Sequence, residues 1–277
     1  SLPGFADFAG QVAVRSDGEY IYVESNGLPA HPMMIGIRSW QQQVPLPQPY
    51  AGANAWRIPL AGTLADQPIS ARTGLFRGAI ALAVNGVPIF NALNNRGEDA
   101  LEAGELDQWG GHAGRADDYH YHVAPLHLQD QVGPGAPIAY ALDGFPIYGL
   151  TEPDGSPATG LDEFNGHVDA AGNYHYHASQ TYPYINGGMR GAVAVRDDQI
   201  DPQPRTAPAR PAGQPLRGAT VTEFSAGVDN SFALAYQLAG ETYRISYALD
   251  GDECTFTFTD PSGASRSETF SRAALTR

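Results

Sequence analysis

Apolar and polar positions alternate with a period of two along much of the chain, the signature of half-buried strands. Gln11-Val12-Ala13-Val14 and Tyr20-Ile21-Tyr22-Val23-Glu24, separated by Ser16-Asp17-Gly18, predict a hairpin. The mixed apolar run at residues 76–84 stops at Asn85-Gly86, and the run at 138–142 stops at Asp143-Gly144; both predict strands closed by tight turns, the first of them buried. Residues 41–59 are rich in Gln and Pro and predict an extended surface crossing. Residues 98–106 are the only fair helix candidate, and a short one. Near the C-terminus, alternating segments at 231–238, 242–249 and 253–260, with Asp250-Gly251 between the last two, predict an antiparallel meander. The fold class is all-β: a sandwich or barrel-like domain with few short helices, followed by a small C-terminal antiparallel β-module.

The pattern also repeats. Asn85-Gly86-Val87-Pro88-Ile89-Phe90 matches Asp143-Gly144-Phe145-Pro146-Ile147-Tyr148. Further on, Leu106-Asp107-Gln108-Trp109-Gly110-Gly111-His112 matches Leu161-Asp162-Glu163-Phe164-Asn165-Gly166-His167. Each unit ends in Tyr-His-Tyr-His, at residues 119–122 and 174–177. Two units with loops of different length predict an internal duplication within one domain, not a solenoid, which needs at least three units. The expected organisation is a duplicated domain over 1–200, with units at about 80–125 and 138–185. Residues 201–217 carry Pro at 202, 204, 208, 211 and 215, which predicts a linker or surface strap ahead of the module at 218–277.

Composition narrows the function. The 277 residues hold 30 acidic side chains against 16 basic ones, all arginine, for a net charge of -14. A chain so acidic lacks the cationic face that nucleic acid requires. A single cysteine, Cys254, excludes an internal disulfide. No apolar run approaches the length of a membrane span. The chain opens at Ser1-Leu2-Pro3 without an initiator Met, as a processed product would, and low cysteine with abundant Tyr, Gly and Pro favours a periplasmic or secreted location.

Six of the eight histidines fall in the repeat: His112, His120 and His122, and again His167, His175 and His177. Residues i and i+2 of a strand share one face, roughly 6.5–7 Å apart, so the two histidines of each tetrapeptide project together while the tyrosines pack on the opposite side. A flexible glycine, Gly111 or Gly166, precedes the third histidine and is expected to let its loop fold back and complete a three-imidazole shell with an open position. A single His-x-His pair is more simply a hydrogen-bonded surface feature. Two copies with matched third histidines favour metal. Imidazole shells suit copper, zinc, nickel and iron; copper is the first choice and zinc the second. Six imidazoles brought together across a pseudo-twofold axis would hold a metal pair, while shells held apart would make two sites. Asp107 and Asp162 are either carboxylates that orient an imidazole N–H or caps of a turn, and Glu163 is a general-base candidate at one unit only, since Gln108 holds the matched place.

These segments, with Tyr182-Pro183-Tyr184 and Gly187-Gly188-Met189, resemble the bacterial family named after its Tyr-His-Tyr-His motif, over roughly residues 20–195. The resemblance implies a secreted or periplasmic protein. Members often carry Asp-Glu in the Leu-Asp segment, from which Gln108 departs. Three readings of function follow. The first is a transition-metal-binding protein. The second is a copper-dependent oxidoreductase or zinc-dependent hydrolase on an unidentified substrate, and the third is a structural or adhesive β-module.

Overall fold

The computed structural model describes residues 2–272, and short strands dominate it. β1 (Val12–Ser16), β2 (Tyr20–Ser25) and β3 (Trp56–Pro59) form an antiparallel sheet whose first turn is the expected Asp17-Gly18 hairpin. β4 (Leu64–Ser70) pairs with a later strand. The two repeat units then supply eight strands. The first gives β5 (Ala79–Ala83), β6 (Pro88–Phe90), β7 (Gly111–Ala113) and β8 (Tyr119–Tyr121). The second gives β9 (Ala139–Ala141), β10 (Pro146–Tyr148), β11 (Gly166–Val168) and β12 (Tyr174–His177).

These eight strands lie in one sheet in the order β11-β12-β10-β9-β5-β6-β8-β7. The order is symmetric about the central antiparallel pair β5–β9, where Ala81 faces Ala141. On each side the chain steps outward through the same relations: an antiparallel hairpin, a parallel pairing to the tetrapeptide strand, and an antiparallel edge strand bearing Gly-His. The two tetrapeptide strands are five strand spacings apart, about 24 Å. All five residues of β5 are buried, as its unbroken apolar run requires of a central strand covered on both faces. The sheet ends at β7 and β11 without closing, so a barrel does not form.

β13 (Gly188–Gly191) returns to pair with β4, and β14 (Val195–Arg196) with β15 (Gln199–Ile200) makes a small ribbon. The Pro-rich residues 201–217 contain no strand but are tied down along their length: Arg205 N–H donates to Asn54, Ala207 N–H to Gln48, and Leu216 N–H to the Trp40 carbonyl. The Arg210 guanidinium grips both carboxylate oxygens of buried Asp117. The segment is thus held against residues 40–54 and against Asp117.

The C-terminal meander has five strands where three were expected: β16 (Thr220–Ala226), β17 (Ser231–Leu238), β18 (Glu241–Asp250), β19 (Glu253–Thr259) and β20 (Ser265–Ser271). Its inner face presents Ile245, Tyr247, Leu249, Cys254 and Phe256 to the same core that contains Ile37, Val44 and Leu46. Burial pushes the Cys254 thiol up to about 12, so it packs as a hydrophobe. The expected helix at 98–106 is absent. Asp99 caps the N–H groups of Leu101 and Glu102, one α-turn bond forms from Ala103 to Asp99, and Gly104 at φ 71° turns the chain away. The only α-helix among the described residues is the four-residue Gln129–Val132.

Candidate metal centres

Each histidine trio is assembled by strand pairing. His112 on β7 stands directly opposite His120 on β8, and His167 on β11 opposite His175 on β12. His122 and His177 follow two residues on, on the same face. The third histidine therefore arrives on a paired strand and not on a loop folding back. Its glycine serves close approach instead of flexibility. A Cβ at Gly111 would stand 2.5 Å from the Tyr119 hydroxyl and 2.7 Å from the His120 carbonyl, and one at Gly166 would collide with the Tyr174 hydroxyl in the same way.

The tyrosines that alternate with the histidines are buried behind the strands, and each hydroxyl is anchored. Tyr119 donates to Asp107 at 2.8 Å, and Tyr174 to Asp162 at 2.9 Å. Tyr121 accepts from Asn85, and Tyr176 donates to Asp143; these are the matched turn residues of the two units. Asp107 also takes the N–H groups of Met34, Trp109 and Gly111, and Asp162 those of Phe164 and Gly166. Of the two readings of these aspartates, the cap of the turn is the one seen: no hydrogen bond joins either to an imidazole. Glu163 is exposed on its turn and is not one of the clustered side chains.

The imidazoles are oriented by backbone carbonyls. Nδ1 of His120 faces the Asp118 carbonyl at 2.9 Å and Nδ1 of His122 faces that of Asn91 at 2.6 Å. In the second trio, Nδ1 of His167 faces the Thr159 carbonyl at 3.0 Å and Nδ1 of His177 that of Gly149 at 3.1 Å. A carbonyl only accepts, so each of these Nδ1 atoms carries a proton, which in the neutral form of the ring leaves Nε2 with a lone pair.

The Nε2 atoms of each trio converge. In the first trio His122 Nε2 lies 3.1 Å from His120 Nε2 and 3.0 Å from His112 Nε2. In the second, His167 and His175 Nε2 are 3.0 Å apart. Two ligand nitrogens held at about 2.1 Å from one ion, about 90–110° apart, stand roughly 3.0–3.4 Å from each other. Lone pairs facing at that distance repel unless a cation or a proton sits between them. An added proton is disfavoured on His122 and His112. Burial holds His122 down to about 3, and burial together with the neighbouring imidazoles holds His112 well below the usual histidine range. The donor set fits a borderline divalent cation.

The second cluster has a fourth member that the sequence did not single out. Glu152 places Oε1 3.0 Å from His167 Nε2 and 3.3 Å from His177 Nε2, with Oε2 3.2 Å from His175 Nε2. His177 Nε2 is fully buried and makes no hydrogen bond of its own. Glu152 lies in a variable loop, four residues after Tyr148; its place in the first unit, four residues after Phe90, is Asn94. The two loops are built alike. Bridges Leu93↔Asp99 and Thr151↔Pro157 close them, Asn94 N–H bonds Glu98 as Glu152 N–H bonds Ser156, and Gly97 and Gly155 turn back onto Asn94 and Glu152. Comparing the repeats through these loops was the available signal. The first cluster is thus three imidazoles beside a neutral amide, the second three imidazoles and a carboxylate.

Their surroundings differ as well. The first trio opens on a cleft of about 560 Å³ that Phe90 and Asn94 also line, and Phe90 stacks on His120 at 3.8 Å. The remaining histidines and the nearby methionines lie outside both trios. Met33 and Met34 are core residues, Met34 Sδ accepting the Ala113 N–H. His31 is half-buried, stacks on Trp109, and its Nε2 lies 2.9 Å from the Tyr121 hydroxyl. His127 packs edge-on against both His31 and Trp109.

The fold and these clusters define an all-β protein with side-chain groups compatible with metal binding. Residues 55–156 match the model of the family described as YHYH protein, which supports assigning the chain to that family. The match includes the first tetrapeptide and Glu152, and ends before the second tetrapeptide. No curated protein and no solved structure matches the chain. Among the described residues no helix is long and apolar enough to cross a membrane.

Proposed function

We propose that this is an extracytoplasmic transition-metal-binding protein with two separate sites, held by His112, His120 and His122 and by His167, His175, His177 and Glu152. The observation that carries the reading is the convergence of Nε2 atoms at 3.0–3.1 Å in both repeats. Copper is the preferred metal, because all-nitrogen and nitrogen–oxygen donor sets without thiolate bind Cu(II) most strongly among the divalent ions; zinc is second. The proposal includes the organisation read from the sequence: an internally duplicated domain over 1–200, a strap over 201–217 and a β-module from 218. Elemental analysis of protein titrated with copper or zinc and freed of excess metal tests it. About two equivalents per chain are expected, and less than a tenth of one would overturn it.

A metalloenzyme is the second reading, favoured by the cleft in front of the first trio. Copper there would supply one-electron redox chemistry and zinc Lewis acidity. The chain's own contribution is to bring three imidazoles together, aim those of His120 and His122 through backbone carbonyls and leave one side of the group facing the cleft. His120→Ala should abolish turnover of any substrate found, with His175→Ala as the comparison.

A further inference from the structure

The two centres differ at one matched position, and the difference points to a ligand. At the second centre the chain closes the histidine trio with its own carboxylate, Glu152. At the first, the matched residue is Asn94, which lines the cleft and spends its amide on Glu98 and Glu105. A divalent ion on three neutral imidazoles keeps its full double charge, with a donor position still to fill. Both carboxylates beside Asn94, Glu98 and Glu105, are tied to Arg96.

The cleft is also positive in a chain whose net charge is -14. Arg77, Arg96, Arg115, Arg196 and Arg205 line it against three carboxylates. Each of these is already engaged: Glu105 with Arg96, Asp201 with Arg196, and Asp118 beside His120 Nδ1 at 3.6 Å. The guanidinium groups of Arg77, Arg115 and Arg205 make no hydrogen bond or ion pair among the described residues, and all three residues are exposed. Arg115 sits on the turn joining the strands that carry His112 and His120.

We infer that the first centre takes a carboxylate from an external molecule, in the role Glu152 plays internally at the second, and that the arginine-lined cleft is the binding site for that carboxylate-bearing ligand. The inference rests on metal binding at the first trio. A small carboxylate docks with its oxygens toward the three Nε2 atoms and its remainder in the cleft, where Phe90 offers an apolar face and Arg115 a charge-assisted donor.

Benzoate is a suitable probe, titrated calorimetrically into the zinc-loaded full chain in carboxylate-free buffer. One benzoate per chain is expected, with binding at least tenfold weaker in the metal-free protein. Arg115→Ala should weaken it about tenfold. Asn94→Glu should abolish benzoate binding while both zinc equivalents remain, and Glu152→Asn should raise the stoichiometry to two. Because either variant is open to misfolding, each is read alongside its zinc content, and the two changes move benzoate stoichiometry in opposite directions. No benzoate bound to protein carrying both zinc ions would overturn this inference and leave the metal reading standing. Zinc missing from the first trio would overturn both. Benzoate binding that emerged only in Glu105→Gln would make Glu105 the fourth ligand and also overturn it.

Discussion

At the residue scale, each histidine depends on a tyrosine and a glycine that touch no metal. The first tyrosine of each tetrapeptide lies behind the strand, and its hydroxyl locks onto Asp107 or Asp162, which holds the turn that delivers the third histidine. Because that hydroxyl lies over Gly111 or Gly166, adding one methyl should cost about 1–3 kcal/mol. Chemical denaturation of Gly111→Ala and Gly166→Ala checks this, with Gly18→Ala ruled out as a control by its φ of 98° and Gly10→Ala, which meets nothing, the suitable one. His31 sets a pH dependence. Burial lowers it from 6.5 to about 4, so the unfolded chain binds the proton more tightly than the fold does. Stability is fully present above about pH 6.5 and is lost as pH falls toward 4, by at most about 3 kcal/mol and less for its partial exposure. His31→Gln should flatten that slope between pH 4 and 6.5 in metal-free protein.

At the element scale, the histidines are registered by strand pairing and the β7–β8 turn is braced from the Pro-rich segment. Arg210 reaches from that segment to Asp117 in the turn, where both groups are largely buried. Arg210→Ala leaves that carboxylate without its cation and should cost about 3–5 kcal/mol, read as a lower denaturation midpoint. Much of this level was legible from the sequence. Alternation and the Asn-Gly and Asp-Gly turns located β1, β2, β5, β9 and the meander, because period two and turn chemistry are local properties. What went unread depended on tertiary partners. The strand identity of Gly111-His112 needs β8 beside it, since three residues carry no period. The turn at 98–106 has helical composition but is diverted by the Asp99 cap and Gly104. Glu152 was invisible because nothing in its loop marks it except its correspondence with Asn94.

At the scale of the whole molecule, the symmetric sheet answers whether the centres are one or two. The repeats pair through β5 and β9, which puts the tetrapeptide strands toward opposite edges, about 24 Å apart. A shared binuclear site is therefore excluded. Metal that binds only the folded chain stabilises it: at a hundredfold excess over Kd each site adds about 2.7 kcal/mol, so a chelator should lower Tm by roughly 5–10 °C per site. The most direct test of the central claim is electron paramagnetic resonance of the Cu(II)-loaded protein with its copper content measured. The account predicts two equivalents of magnetically uncoupled Cu(II) in nitrogen environments, falling to one in His120→Ala/His122→Ala and to the other one in His175→Ala/His177→Ala. Less than a tenth of an equivalent, or a spin-coupled pair, would contradict it.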